Sequence, residues 1–383
     1  MIFLGQASNY SFRQALRQIF VRGNARDMLA LKTALAKRYR AERRQSDGLV
    51  AEDWESVELY HTGRSALAAA VQAVVPKGSR VIIPGLTCIA VVRAVRAAGC
   101  EAEYVDIDTE TLQYDFAALE NKLKASSDSP IKAIIVQNTL GITIDMVRVE
   151  QLAQKYQVEI IEDLAHSAGR FYPDGREVGS VGAATALSFG KGKAIDTIAG
   201  GALVLRSAKL ARPLPPLFRA KRSARWRERW YPALGASIRC GQHLGLGKVL
   251  TAIYLKLHWI ERSADAELNL DTRLEPWQAK LALEQLRHLP KVPLREHYLV
   301  RDRSELLGKL AKQGYYLNEI WYDTPVSPER YLGEANFPKA DCPQTLWVAQ
   351  SIINLPTWYP AVKLAPVREL IQPYIVEAKH GNE

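Results

Sequence analysis

Residues 57–205 predict an α/β architecture: a mostly parallel central sheet covered by helices, with a smaller α+β domain towards the C-terminus. Two observations carry this prediction. Short apolar runs rich in β-branched residues recur along the stretch with no polar alternation. Alanine- and leucine-rich segments of helical length separate them. A strand that is apolar on both faces must be covered on both faces, which is the situation of a parallel sheet between helical layers. VIIP (81–84), AEYVDI (102–107), KAIIVQN (132–138) and VEIIED (158–163) are the strands. SALAAAVQAVV (65–75), AVVRAVRAAG (90–99), DFAALENKLKA (115–125) and RVEQLAQKY (148–156) are the helices between them. In such sheets ligands collect at the carboxyl ends of the strands, where loops enter helices.

The flanking regions read differently. Residues 1–56 form an N-terminal helical arm. Residues 206–268 interrupt the alternation: Pro213, Pro215 and Pro216 end any helix, and a basic, tryptophan-bearing segment and then ALGASIRCGQHLGLGKVLTAIYLKLHWI follow. RLEPWQAKLALEQLRHL (273–289) and HYLVRDRSELLGKLAKQG (297–314) predict long helices. Residues 315–383 mix short strands, proline turns and a last helix at 366–375, so that 269–383 read as a helical connection and the smaller domain.

Composition narrows the class. The chain has 383 residues, 48% hydrophobic and 24% charged, which is ordinary for a globular protein with ample core. Its four cysteines include no CxxC pair, which argues against a metal site or disulfide framework and makes a reducing cytoplasm the default. The first twenty residues lack a basic start and a sustained apolar run, so they do not read as a signal peptide. No uncharged apolar stretch is long enough to span a bilayer. The net charge of +10 is concentrated in two blocks: residues 13–44 carry ten Arg/Lys, and residues 206–229 carry nine against Glu228. Such blocks attract anions, nucleic acid or an acidic membrane face, or are simply solvated helix faces. No nucleic-acid module accompanies them. The chain has no GxxxxGK[ST], no HExxH and no GxSxG in a strand–turn–helix context, and GLGKVL (245–250) lacks the third glycine of a dinucleotide fingerprint.

Four stretches carry chemistry. In HTGRSALAAAV (61–71), a Gly63–Arg64–Ser65 turn opens an alanine-rich helix, whose free amides and positive dipole end suit a phosphate. In VEIIEDLAHSAG (158–169), Asp163 ends a buried strand, where a carboxylate needs a cationic partner, and His166 follows three residues on. SFGKGKAIDTIAGG (188–201) places two lysines in a glycine-rich loop, and a buried amine near other cations becomes a nucleophile towards aldehydes. In LDTRLEPWQAKLALEQL (270–286), Asp271 and Arg273 precede an amphipathic helix, and an arginine there can fork onto a phosphate. Each stretch alone is equally a helix start, a cap or a solvated charge.

Taken in order, these stretches and GRSAL, VIIPGLTCIA, EYVDID, LGITIDM, YPDGREVGSVG, NFPKAD and INLPTWYP resemble the DegT/DnrJ/StrS group of sugar aminotransferases. These are pyridoxal-phosphate enzymes of fold type I. The resemblance implies that fold, and it implies roles. Ser188 and Phe189, with three residues between Phe189 and the next matching position, make Lys193 the Schiff-base lysine and proton shuttle, and leave Lys191 at a tolerant position. Asp163 matches the carboxylate that pairs with the pyridinium nitrogen of the cofactor, and His166 a contact to its phenolic oxygen. Gly63, Arg64, Ser65 and Ser188 match its phosphate site. Asp271 and Arg273 match an Asn-x-Arg pair reaching the phosphate from the partner subunit, so a homodimer with shared sites is implied. The implied reaction carries an amino group from glutamate or glutamine to a keto-sugar, usually nucleotide-linked, for surface-glycan or glycosylated-metabolite synthesis.

The sequence also departs from the family pattern. Cys88 stands where an aromatic residue often stacks on the cofactor, so stacking is lost or supplied from elsewhere. Asn138 replaces a loop histidine, Asp271 an asparagine, and a histidine expected near 325–327 is missing. The basic 206–268 insertion reads as a cover over the site or an interface arm, or as a peripheral membrane contact through 213–260. Two other functions remain on the same scaffold: a sugar dehydratase, against which Lys193 and the scattered cysteines argue, and a non-catalytic membrane-associated protein, against which Lys193 and Asp163 argue.

Overall fold

The computed structural model describes residues 2–4, 12–40, 56–125, 130–206, 213–261, 268–317 and 319–376. Its centre is a nine-stranded sheet of β1 (Ser56–Tyr60), β2 (Arg80–Pro84), β3 (Glu101–Val105), β4 (Ile131–Val136), β5 (Glu159–Asp163), β6 (Ala184–Ser188), β7 (Gly201–Leu205), β8 (Phe218–Arg219) and β9 (Thr272–Arg273). The spatial order is β8-β9-β1-β7-β6-β5-β4-β2-β3. Strands β3, β2, β4, β5 and β6 are parallel, and β7 runs antiparallel to both β6 and β1.

Helices cover both faces. In chain order the helices up to this point are α1 (Phe12–Phe20), α2 (Ala25–Arg38), α3 (Gly63–Val74), α4 (Ile89–Ala97), α5 (Phe116–Lys124), α6 (Met146–Tyr156), α7 (Arg222–His243), α8 (Gly247–Lys256) and α9 (Pro276–Leu286), of which α2, α3, α4, α5, α6 and α9 pack on the sheet. The two-residue period of the strands divides their side chains between two cores. Val81, Ile83, Ala133, Ile135 and Ile161 face α3 and α4. Ile82, Ile134, Val136 and Ile160 face α2, α5, α6 and α9. The run Ala68–Ala70 is fully buried, and its small side chains let α3 lie close against the strands.

This alternation separates two adjacent carboxylates. Glu162 faces the α6 side, fully buried, and accepts hydrogen bonds from Tyr172 Oη (2.7 Å), Gly179 N (2.7 Å), Val181 N (2.9 Å) and Gly182 N (2.6 Å). Arg206 stands 3.9 Å away and donates to Tyr39 O and Thr185 Oγ1, so it belongs to the large unit although it borders the insertion. Glu162 therefore holds the 172–182 turn onto the sheet. Glu162→Ala is expected to destabilise the fold by about 3 kcal/mol, because four donors lose a buried anion. An unchanged urea midpoint for that variant would contradict this role.

The sequence reading of 297–314 as one helix is corrected. Residues Arg295–Leu299 form strand β10, paired antiparallel with β11 (Ile352–Pro356), and the helix spans only Arg303–Lys312. The first turn of the expected helix does not form because Asp302 takes a left-handed φ of +47°, and Leu299 and Val300 are buried. Likewise 273–289 opens as strand β9, and helix α9 starts at Pro276, a residue pre-set for a first helical position. The last helix runs Ala361–Ile371 and carries Pro366 inside it. Leu306, Leu310, Ile353, Leu355, Leu364 and Val367 build the core of this smaller domain. The N-terminal Ile2–Phe3 joins it by pairing with Tyr315–Tyr316.

Candidate active site

The strand ends bring most of the expected residues together. Asp163 ends β5, Ser188 ends β6, and Gly63–Arg64–Ser65 begin α3 directly after β1. The turn lies flat across the strand ends because Gly63 has no side chain: a Cβ there would meet Ser188 Cβ and Oγ at 2.6 Å. A Cβ on Gly201 would meet Gly63 Cα at 2.7 Å. The helix starts two residues earlier than the sequence predicted, and Thr62 caps it by accepting from Ser65 N (3.1 Å). Ser65 Oγ donates to Asn269 O (2.7 Å), and Arg64 is half-buried within electrostatic reach of Cys88. Cys88 precedes α4 on a two-residue strand paired with Val326–Ser327 of the smaller domain.

The lysine loop is shaped by Asp196, which accepts from Gly192 N (2.7 Å) and Ile198 N (3.0 Å) and is itself held by Gln285 Oε1 at its own amide (2.7 Å). Gly192 has φ +73°, a left-handed turn that explains a glycine between the two lysines. The turn sends the lysines apart. Lys191 Nζ donates to Glu261 O (2.9 Å) and lies 4.3 Å from the centre of the Tyr231 ring, so it is tied to the insertion. Lys193 Nζ instead lies 4.8 Å from the centre of the Trp321 ring. Burial pushes the Lys193 pKa down, opposed by Cys88 and Asp163.

Asp163 is buried and accepts from Ala165 N (2.9 Å). Burial raises its pKa to about 6, against the pull of that hydrogen bond and of Lys193. His166 Nδ1 accepts from Leu140 N (3.3 Å) and sits 3.2 Å from Tyr322 Oη. Burial, reinforced by Lys193 and Arg295, drives its pKa well below the ordinary histidine range. The ring is therefore neutral, and since Nδ1 accepts, Nε2 carries the proton. The imidazole stacks on Trp321, with centroids 4.9 Å apart and planes 24° apart.

Sequence reasoning missed Trp321, Tyr322, Gln137 and Arg295. Gln137 Nε2 donates to Thr139 Oγ1 (2.9 Å) and Tyr322 Oη (3.3 Å), which places the tyrosine against His166. The one available signal was the Trp-Tyr pair ahead of TPVS, four residues before the position of the absent histidine. Together Lys193, Arg295, Trp321 and Trp358 line a cleft of about 600 Å³ with residues of α1 and α9.

Asp271 and Arg273 are not brought to this cleft within one chain. The β9 backbone runs beside Tyr60, and His61 N donates to Thr272 O (2.8 Å), but the Arg273 side chain is exposed and lines a separate groove with Glu58 and Leu217. Asp271 is exposed and accepts from Thr272 Oγ1 (3.3 Å).

The insertion packs beside the start of α3 and against α1. Its helix α7 contributes Glu228, whose Oε1 pairs with His61 Nε2 at 2.8 Å, next to the Thr62 cap. Arg229 donates to Ile19 O and Val21 O and so joins α7 to α1. Beyond these contacts Leu244, Leu246, Val249, Ile253 and Leu257 are exposed, and no helix among the described residues is long and apolar enough to cross a membrane.

Known proteins share this architecture. A curated UDP-N-acetyl-3-dehydro-alpha-D-glucosamine 3-aminotransferase from Acidithiobacillus ferrooxidans is 26% identical over 304 residues, 77% of each chain. GDP-perosamine synthase of Escherichia coli O157:H7 is 33% identical over 178 residues, covering 46% of this chain and 47% of its own. Among solved structures, the PLP form of a sugar aminotransferase, Spr1654, from Streptococcus pneumoniae aligns with TM-score 0.64 at 16% identity, over 97% of this chain and 98% of that one. PseC from Helicobacter pylori aligns with TM-score 0.62 at 15% identity, over 97% and 99%. The family model for DegT/DnrJ/EryC1/StrS aminotransferases matches residues 60–373, and the chain belongs to that family.

Proposed function

We propose that this protein is a pyridoxal-phosphate-dependent aminotransferase that moves an amino group from glutamate or glutamine to a nucleotide-linked keto-sugar. The observation that carries the reading is a desolvated amine, Lys193, within electrostatic reach of a buried carboxylate, Asp163, which ends a strand of the same sheet whose neighbouring strand end, Ser188, packs against the glycine-tight start of α3. These residues fit the cofactor. The flat Gly63 turn with Ser65 and Ser188 suits a phosphate, and Arg64 adds charge. Asp163, an anion under-compensated by its surroundings, suits a protonated ring nitrogen. Neutral His166, with its proton on Nε2, suits a phenolic oxygen.

When bound, the cofactor supplies an aldehyde and an electron sink. Lys193 would be the amine that holds this aldehyde and the base that moves a proton at the substrate carbon. Its depressed pKa leaves a larger fraction of neutral base near pH 7 than an exposed lysine has. Asp163 would face the protonated ring nitrogen and His166 would orient the ring, while Trp321 lies against the lysine amine. Arg273, exposed in its own chain, reaches the partner's phosphate turn in a homodimer with shared sites. Reduction with borohydride followed by peptide mapping tests the cofactor link, and amino transfer from labelled glutamate to a panel of keto-sugar nucleotides tests the reaction. A protein that takes up no cofactor, or a label on another lysine, would refute the reading.

The outer face of the α7–α8 hairpin would meet an acidic membrane surface peripherally. Residues 221–259 hold eight Arg/Lys against Glu228, and Trp226 and Trp259 are exposed among them. The protein is expected to sediment with vesicles containing anionic lipid and not with neutral ones, and Leu246→Ser with Ile253→Ser to weaken that recovery about tenfold. Equal recovery of both proteins would rule the contact out.

A further inference from the structure

We propose that Glu228, the one acidic residue of the basic block 206–229, is a positioning residue that holds the phosphate turn and the lysine loop in place from the insertion; this rests on the aminotransferase reading. The carboxylate faces inward. Its Oε1 pairs with His61 Nε2 at 2.8 Å, and the side chains of Glu228 and His61 are only 12% and 13% exposed. Its Oε2 accepts from Gln278 Nε2 (3.2 Å), and its backbone carbonyl accepts from Gln18 Nε2 (3.2 Å). One residue of α7 thus touches three segments of the large unit.

Each contact leads towards the site. His61 directly precedes Thr62, the residue that caps α3 and so shapes the Gly63 turn. The His61 amide donates to Thr272 O (2.8 Å), but its Nδ1 is buried with no hydrogen-bond partner among the described residues. Of the two ring nitrogens, only the one on Glu228 is anchored. Gln278 Nε2 also donates to Thr197 O (3.3 Å) and Ala199 O (3.0 Å), on the return of the lysine loop. The next carbonyl, Gly200 O, accepts from Phe189 N (2.9 Å), beside Ser188. Gln18 is buried and lines the cleft that holds Lys193.

The charges around His61 leave Glu228 as its counter-ion. Arg227 on the same helix opposes protonation of the ring. Glu275, ahead of α9, favours it by charge alone, and its own carboxylate is engaged by Arg219 (3.1 Å) and Arg225 (3.9 Å). Burial by itself lowers the imidazole pKa, but the hydrogen bond and charge of Glu228 outweigh it, and the pKa is raised. The ion pair is therefore complete below that raised pKa and gives way to a weaker neutral hydrogen bond above it. A phosphate binds best to amides that are already in place, so the turn holds it more tightly while the pair is charged.

The test is equilibrium binding of pyridoxal phosphate, and of pyridoxal without its phosphate, to the full-length apoprotein. Glu228→Gln keeps an acceptor for His61 but removes the charge. At about pH 6.5 it should weaken pyridoxal phosphate about tenfold and pyridoxal by less than about twofold. The ratio of wild type to variant cancels the titration of the ligand itself. That ratio should fall towards one as the pH rises to about 10, because the wild type then loses the protonated ring as well. His61→Gln should reproduce the loss at low pH, and combining the two substitutions should add nothing further. Thermal melting is followed alongside, and if Glu228→Gln does not fold, His61→Gln carries the same comparison. Equal weakening of both ligands, no weakening of either, or a loss that does not change with pH would overturn the proposal. Calorimetry with inorganic phosphate separates the two readings. Phosphate binding that depends on Glu228, in a protein that forms no adduct with pyridoxal phosphate, would refute the aminotransferase reading and leave the positioning role standing.

Discussion

Lys193→Ala, loaded with pyridoxal phosphate, is expected to lose at least about 10³-fold in kcat and to yield no labelled peptide after borohydride. The loss combines two roles in one side chain: the amine that holds the cofactor aldehyde and the base that moves the substrate proton. Lys191 cannot substitute, because its amine is tied to Glu261 O and faces Tyr231. The same variant tests whether the site is shared. Arg273→Ala removes the exposed arginine that is proposed to cross to the partner. Mixed dimers of the two inactive chains contain one intact site, so random mixing should recover about a quarter of wild-type activity. No recovery would place Arg273 in the cis site or outside the site altogether.

Asp163→Asn is expected to lower kcat about 10²- to 10³-fold in the holoenzyme, since the charge across the ring is an electrostatic contribution fixed in advance. In the apoprotein its effect on stability has the opposite sign. The folded carboxyl has a pKa of about 6 against an ordinary value of 3.8, with burial as the cause. Between those values the folded chain retains a proton that the unfolded chain has released, so stability falls as pH rises through that window and stays lower above it. The deficit at pH 7 is up to about 3 kcal/mol. An asparagine side chain has no charge to desolvate, so the apo variant should be more stable than wild type at about pH 7.5 and similar to it at about pH 4.5. Urea midpoints at the two pH values read this directly. A variant less stable than wild type at the higher pH would show that Asp163 is already paired without the cofactor.

The parallel half of the sheet was legible because its strands are apolar on both faces and its connecting helices begin with recognisable turns. Ser188, Lys193, Asp163 and His166 were singled out through the family resemblance, and the structure places each within a few residues of a strand end. Strand β10 was not. In HYLVRDRSELL the helix-forming tail extended the prediction backwards over Tyr298–Val300, and only pairing with β11, more than fifty residues on, makes Tyr298 and Leu299 part of a strand. Trp321, Tyr322 and Arg295 were hidden for the same reason: they enter the site through the smaller domain, whose packing on the large one has no local sequence signature. Asp271 and Arg273 could be placed ahead of helix α9 from sequence, but a single chain leaves their partner undefined.

The bond from Lys191 to the Glu261 carbonyl couples the reactive loop to the far end of the hairpin. Anyone trimming residues 213–261 to improve solubility would also release a second free amine two positions from the first. Loss of colour or activity in such a shortened protein would then report a disordered loop or a competing adduct, and would not identify the hairpin as the place where sugar binds.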